Sequence, residues 1–412
     1  MRPLAADLST APWLRAQDSR TLLDRLEAAG GRARFVGGCV RDGLLAPEAE
    51  IADLDVATSL RPEAVMAAVE RAYPTGLGHG TVTVAIGAHR YEVTTLRRDR
   101  ICDGRHAVVE FTDDFEEDAA RRDFTINAMS CDGSGRIFDY FGGRDDLARG
   151  RLRFVGAPEA RIAEDHLRIL RFFRFWPRFG AGEIDEATLR ALNAGRHGID
   201  RLSGERLQSE LFRLLAHPGC APAVALMAET LVLEKIVAGA DTGRLHRLVT
   251  LDGDLADTAS VRRLSALLRG GEVEGTIARL RLSNADAAHV RFLCFSALPG
   301  LDDEPAWREA IYRRGRPKAL DLACIAAAEA GLGPASFGRY RARLEAFDPG
   351  IFPLTGRDLI ERGVPPGPGF GALLERLERD WIDANYPADR AVALRRLDRM
   401  LREADGNVNS KK

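Results

Sequence analysis

The hydrophobic period of this chain changes once, near Gly150, and that change constrains the fold more than any other feature. Before it, IADLDVAT (51–58), TVTVAIG (81–87) and RYEVTTL (90–96) are rich in β-branched residues and alternate apolar with polar positions. That two-residue repeat predicts strands. DSRTLLDRLEAAG (18–30) spaces its apolar residues helically and stops at a Gly pair, which predicts an amphipathic helix with a Gly cap. A strand through Arg34-Phe35-Val36 follows, and after Gly37-Gly38 the stretch CVRDGLL restarts a helical pattern. After Gly150, AEDHLRILRFFRFWPRF, GERLQSELFRLLAH, VRRLSALLRG and GFGALLERLERDW carry long helical periods between short Gly or Pro breaks. The fold class expected is therefore α+β: a mixed strand-and-helix head of about 150 residues followed by helices.

A chain of 412 residues exceeds what one hydrophobic core usually organises, so two to four domains are expected. No apolar run approaches the roughly 20 residues that span a bilayer. MRPLAADLSTAPWL lacks the basic start, apolar core and small-residue cleavage site of a secretory signal, so a cytoplasmic location is expected. Cys39, Cys102, Cys131, Cys220, Cys294 and Cys324 are scattered, with no Cys-x-x-Cys pair, and read as reduced thiols rather than a disulfide frame or zinc site. The formal charge of −2 excludes a uniformly basic surface, so any nucleic-acid binding must come from local clustering among the 59 Lys and Arg.

The sharpest chemical signal is Asp53-Leu54-Asp55. Alternation on a strand sends both carboxylates to one face and Leu54 to the other, and two nearby anionic oxygens suit a hard cation such as Mg²⁺. Glu92, on another expected strand, is the candidate third carboxylate. An isolated Asp-x-Asp is more often a solvated strand end; its surroundings alter that reading. Gly37-Gly38-Cys39-Val40-Arg41 places bare backbone at a helix N-terminus, where amide groups can hold a phosphate and Arg41 adds a cation. Such a Gly pair alone is more often plain turn geometry. Arg121-Arg122 precede DFTINA, either as a solvated helix start or as an Arg fork for a triphosphate or sugar. In EDHLRILRFFRF (164–175), charged residues recur every third position, which places Asp165, Arg168 and Arg171 along one helix surface. A generic helix would carry these as a salt-bridge stripe.

Taken together, GGCVRDGLL, DLDVAT, YEVTTLR, RRDFTINAM, IFDYFGG and EDHLRILRFFRF resemble, in order and spacing, the class II CCA-adding enzyme and bacterial poly(A) polymerase family. The match is close over about residues 34–176 and looser beyond. The resemblance implies a polymerase-β-like nucleotidyltransferase head followed by all-helical neck, body and tail. The divisions expected are an N-terminal helical segment (1–30), the catalytic head (31–150), a nucleotide- and RNA-binding neck (151–245) and a tRNA-binding body and tail (246–412). By resemblance, Asp53 and Asp55 are the metal carboxylates, and Gly38, Arg41 and Arg122 contact triphosphate and sugar, with Gly37 beside them in the candidate phosphate-binding turn. Asp165, Arg168, Arg171 and Arg174 contact the incoming nucleotide, while Asp139 with Gly142-Gly143 forms the head-to-neck joint.

The base-reading pair has a physical basis. Cytosine and adenine each present an exocyclic amine beside an accepting ring nitrogen; an Asp that accepts and an Arg that donates match this pattern, whereas uracil and guanine set like groups against it. CTP and ATP are therefore the expected substrates, Mg²⁺ the cofactor and the tRNA 3′ end the partner. Three features favour CCA addition over poly(A) synthesis or A-only and CC-only addition. RRDRICDGRHAVVEFTDDFEED (97–118) resembles the loop that switches C to A addition; LTGRDLIERGVPPGPGFGALLERLERDW (354–381) resembles tRNA-processing members; and no strongly basic extension closes the chain. YRRGRPK (312–318) and GRYRARLEAF (338–347) are either grips for tRNA phosphates or solvated helix faces. An idle RNA-binding protein is disfavoured by the intact carboxylates. A phosphohydrolase site in the helical half is disfavoured because His246 and His289 stand alone in the sequence.

Overall fold

The computed structural model describes residues 2–99, 109–180, 184–253, 255 and 258–409, and the chain divides into two compact units. The first comprises Met1–Thr242 with Glu274–Ser283, the second Gly243–Val273 with Asn284–Lys412.

In the first unit, helix α1 (Gln17–Ala28) buries Leu22, Leu23 and Leu26, and Gly30 leaves it at φ 85°, the left-handed conformation a helix exit favours. The strands are β1 (Ala33–Val36), β2 (Leu54–Thr58), β3 (Ala72–Gly76), β4 (Thr81–Ile86), β5 (His89–Thr95), β6 (Arg97–Asp99), β7 (Val109–Phe111), β8 (Ser130–Cys131) and β9 (Ile137–Phe138). Among the described residues, seven of them form one sheet in the order β3-β4-β5-β2-β1-β8-β9, while β6 and β7 pair separately. The sheet is mixed: β2 runs antiparallel to β1 and parallel to β5. Leu54, Val56, Val82, Val84, Tyr91 and Val93 are buried, as their β-branched and aromatic alternation requires. The expected α+β class, with a mixed-sheet head and helices after it, is what the chain adopts.

Helix α2 (Gly38–Leu45) follows β1 directly, and α3 (Phe115–Ala120) follows β7. Beyond the head, α4 (Leu167–Phe179) packs an aromatic seam onto it. Phe124 lies 4.9 Å from Phe154 and 5.6 Å from Phe175, and Phe154 stacks on Phe172 at 5.9 Å, all ring centroid distances. Helix α5 (Gly204–Ala216) packs on α4.

IFDYFGG is held by local hydrogen bonds. Asp139 accepts from the backbone N–H groups of Phe141, Gly143 and Arg144, which anchors the helix Gly143–Arg149. A Cβ on Gly143 would stand 2.1 Å from the Thr125 carbonyl oxygen. Gly143→Ala is accordingly expected to cost about 1–3 kcal/mol by forced backbone displacement, read as a lowered denaturant midpoint; an unchanged midpoint would show that Thr125 yields freely.

Among the described residues, the regular elements of the second unit are all helices. One core gathers Trp307, Ile311, Ala323, Ile325, Phe337 and Tyr340. Another gathers Leu354, Leu359, Leu377, Leu397 and Met400. Here the sequence reading of His289 needs correction. His289 is buried, with Nε2 3.1 Å from Asp321 Oδ2, an approach not aligned as a hydrogen bond. The pair joins residues 32 positions apart on different helices (Asn284–Phe295 and Arg316–Glu329), which no local period reveals. Asp321 also receives Arg262, so the histidine belongs to a buried ionic network.

Candidate nucleotide-binding active site

The Gly pair sits where expected, between β1 and α2. Gly37 adopts φ 73°, ψ −124°, and a Cβ there would lie 3.2 Å from Arg122 Nη1 and 3.9 Å from Asp55 Oδ2. A side chain at 37 would thus intrude between the cation and the carboxylate. The backbone stays bare because only Gly takes this conformation without strain.

Asp55 lies on β2 and Asp53 immediately before it; the two line one cleft, and Leu54 between them is buried. Glu92 is the parallel-register partner of Asp55 on β5, so the two side chains leave the same face of the sheet, although Glu92 is not among the residues lining the cleft. Burial pushes the Asp55 carboxyl above its usual value, as do the Glu92 and Asp53 carboxylates, against the opposing pull of Arg122. This is an under-compensated negative cluster at a cleft edge, and it suits a hard divalent cation. Among the described residues no three His, Cys, Asp or Glu side chains gather as a metal site by themselves. Asp53 and Asp55 would hold such a cation together with oxygen ligands from outside the protein.

The cleft has a volume of about 940 Å³ and is bordered by Gly37, Gly38, Arg41, Asp53, Asp55, Arg122, Asp165, Arg168 and Arg171. Arg174 does not line it. Its Nε lies 2.6 Å from Glu210 Oε2, and its guanidinium covers the Phe175 ring at 4.2 Å.

The expectation that Asp165 rides on the same helix as Arg168 and Arg171 is corrected. The helix begins at Leu167, and Asp165 is in extended backbone (φ −151°, ψ 106°) ahead of it. There its Oδ1 accepts from the Leu167 N–H at 3.1 Å, as a short acidic side chain at a helix entry does. Its Oδ2 accepts from Arg206 Nη2 at 2.7 Å. Arg168 donates to Glu164 Oε2 at 2.6 Å and to the carbonyls of Arg161 and Arg121. Arg171 grips Asp123 Oδ2 with Nε at 2.7 Å and Nη2 at 2.6 Å. Burial alone would raise the Asp123 carboxyl, but Arg171 and Asn127 hold it below the usual carboxylate range. Arg122 and Arg121 are both held by buried Asp118, at 3.0 and 2.9 Å.

Sequence reasoning passed over Asp118, Asp123, Asn127 as a link between Arg41 and Asp123, Arg206 and Glu210. Asp123 and Asn127 stand inside RRDFTINAM, where a polar pair four residues apart amid buried apolar residues was the available signal. Arg206 and Glu210, four apart in GERLQSELF, look like any solvated i, i+4 positions, yet Glu210 is buried. Of the stretch 97–118, residues 100–108 lie outside the described residues; its ends form the β6–β7 pair, tied by Arg98 to Glu110 at 2.8 Å. In the second unit, Arg313 of YRRGRPK bridges Glu309 and Glu378, and Arg341 of GRYRARLEAF pairs with Glu345.

A mixed sheet presenting paired carboxylates beside a bare-backbone turn and an arginine-lined cleft defines the nucleotidyltransferase class of transferases. Sequence and structure comparisons narrow this. Residues 33–153 match the poly A polymerase head domain, and 183–241 match the probable RNA and SrmB-binding site of polymerase A. The chain is 32% identical over 385 residues to the human mitochondrial CCA tRNA nucleotidyltransferase 1, covering 87% of this chain and 84% of that one. It is 32% identical over 382 residues to the Streptococcus pneumoniae CCA-adding enzyme, covering 91% and 95%. The solved Bacillus stearothermophilus CCA-adding enzyme in complex with CTP superposes with a TM-score of 0.75 at 29% identity, covering 95% and 98%. The chain belongs to the class II CCA-adding enzyme and bacterial poly(A) polymerase family of nucleotidyltransferases.

Proposed function

We propose that this enzyme adds C, C and A to the 3′ end of tRNA from CTP and ATP without a nucleic-acid template. The observation that carries the reading is the single cleft that Asp53 and Asp55 line together with Asp165, Arg168 and Arg171. Identity above 30% over more than four-fifths of two CCA-adding relatives supports the same assignment.

Asp53 and Asp55, with Glu92 beside them, would hold Mg²⁺, which supplies charge neutralisation for a triphosphate and its departing pyrophosphate. Gly37 and Gly38 let the phosphate chain approach the backbone, and Arg41 and Arg122 place cations next to it. Asp165 accepts from the exocyclic amine of cytosine or adenine, and Arg168 turns from Glu164 to donate to the ring nitrogen. We assign the head to 31–150, the neck to 151–245 and the tRNA-holding body and tail to 246–412. Cys39, Cys131, Cys220, Cys294 and Cys324 are buried free thiols, which supports a reducing, cytoplasmic setting.

The reading is tested by mapping products, one nucleotide at a time, on tRNA lacking its 3′ end with Mg²⁺, CTP and ATP. Addition of C, C and A that then stops is expected; long A tails would reassign the chain to poly(A) synthesis, and C-only or A-only products to a split pathway. In the same assay Asp165→Ala is expected to lower the preference for CTP over UTP by about 10²-fold, because the complementary acceptor is gone. A ratio unchanged from the parent enzyme would remove Asp165 from base reading.

A further inference from the structure

We infer that Asn127 is a positioning residue that couples the triphosphate end of the cleft to its base-reading end, an inference that rests on the nucleotide-selecting role just proposed. Asn127 is buried on the turn Thr125–Asn127 and lines the cleft with Arg41 and Asp123. Its amide oxygen accepts from Arg41 Nη1 at 2.5 Å, and its Nδ2 donates to Asp123 Oδ1 at 3.0 Å. A guanidinium only donates and an ionised carboxylate only accepts, so one amide orientation satisfies both neighbours. Asp at this position would set one carboxylate against another; Leu would leave a buried cation and a buried anion each short of a partner.

The links continue in both directions. Asp123 holds Arg171 through its second oxygen, Arg171 Nη1 lies 3.8 Å from Glu210 Oε1, and Glu210 Oε2 meets Arg174. On the other side Arg41 is chelated by Asp42, through Nε at 2.9 Å and Nη2 at 3.0 Å. Arg41 also lies over the Phe179 ring at 4.2 Å and the Phe175 ring at 5.2 Å, and Arg171 faces the same Phe175 ring at 5.4 Å. A shift of Arg41 toward a triphosphate therefore pulls on Asn127, on Asp123 and, through them, on the Arg171 guanidinium at the base. Buried networks of this kind act as units rather than as independent pairs. The consequence is that base choice tightens only when a triphosphate engages Arg41.

The test is a double-mutant cycle. Arg41→Ala, Arg171→Ala and the double variant are prepared in the full chain with Asn127 intact and again with Asn127→Leu, and kcat/KM is measured for CTP and for UTP on tRNA lacking its 3′ end. With Asn127 present, Arg41→Ala is expected to lower the CTP-to-UTP ratio about tenfold although Arg41 is assigned to the triphosphate rather than the base, and the double variant to lose about tenfold less than the product of the single losses. With Asn127→Leu the losses multiply and Arg41→Ala leaves the ratio within about twofold. Asn127→Asp, which keeps the shape and breaks only the link to Asp123, is expected to behave as Asn127→Leu and serves where the latter does not fold. Losses that multiply with Asn127 intact, or a base ratio unmoved by Arg41→Ala, overturn the coupling alone, provided the parent enzyme adds C and A. A parent enzyme that adds neither overturns the functional reading together with the coupling.

Discussion

Asp55→Asn is expected to lower nucleotide transfer by about 10³-fold or more and, at the same time, to raise the melting temperature of the ligand-free protein. The first effect follows from losing a carboxylate that would hold a cation contributing several kcal/mol of charge stabilisation to the reaction. The second follows from the raised Asp55 carboxyl, which burial, Glu92 and Asp53 together produce against the opposing Arg122. A carboxyl whose folded-state value lies above its unfolded value binds its proton more firmly when folded. Stability therefore falls as pH rises from the usual 3.8 through the raised value, and the folded protein carries the full penalty above it. Asn removes that penalty, so the gain should be complete at neutral pH and should vanish below the ordinary carboxylate range. Each kcal/mol relieved corresponds to about 2–4 °C in a unit of this size. Added Mg²⁺ supplies the control: it should raise the parent melting temperature by preferential binding to the folded state and leave Asp55→Asn unmoved. A variant that transfers at the parent rate would remove Asp55 from the metal site. One that is inactive but less stable than the parent would show that Asp55 is compensated by its protein neighbours.

These opposite effects on activity and stability are what a preassembled acidic cluster implies, and much of that cluster was legible before any fold was known. The alternation in DLDVAT and RYEVTTL is a local property of the chain, and local periodicity is what a strand requires. The Gly pair likewise announced a conformation that other residues take only with strain. The surroundings of Asp165 and Arg171 were less legible. Asp165 reads as the first member of a helical stripe, whereas it ends the preceding helix, its side chain accepts from the Leu167 N–H, and its partner Arg206 lies 41 residues away. The partners of Arg171 are Asp123 and Glu210, which lie before and after it in the chain at separations that no helical or strand period connects. Burial of Glu210 and His289 is equally invisible locally, because their charged partners Arg174 and Asp321 lie 36 and 32 residues away on other helices. Periodicity therefore locates the elements, and the charge pairs that tune the site come from the tertiary fold.

The same limit governs the second unit, where Arg262→Ala should have the largest effect on stability of any single change considered. Arg262 is fully buried; its Nη1 donates to Asp321 Oδ1 at 2.5 Å and to Thr258 Oγ1 at 3.0 Å, and its Nη2 to Asp252 Oδ2 at 3.2 Å and to the Leu255 carbonyl. Arg263 holds both oxygens of Asp252, at 2.8 and 2.9 Å, so Asp252 keeps a cation when Arg262 is removed. Asp321 does not fare as well, being left with Thr258 and the misaligned His289. Breaking a buried ion pair from one side strands a charge and typically costs about 3–5 kcal/mol, here a loss of roughly 6–20 °C in the transition of that unit. Desolvation, rather than lost attraction, dominates this cost, so the double variant Arg262→Met with Asp321→Leu should recover most of it by removing both charges and refilling the volume. Calorimetry on the full chain distinguishes the alternatives. Recovery in the double variant identifies the stranded Asp321 as the cause, whereas equal loss in both variants would mean that the network holds the helices in register by geometry that apolar side chains do not reproduce.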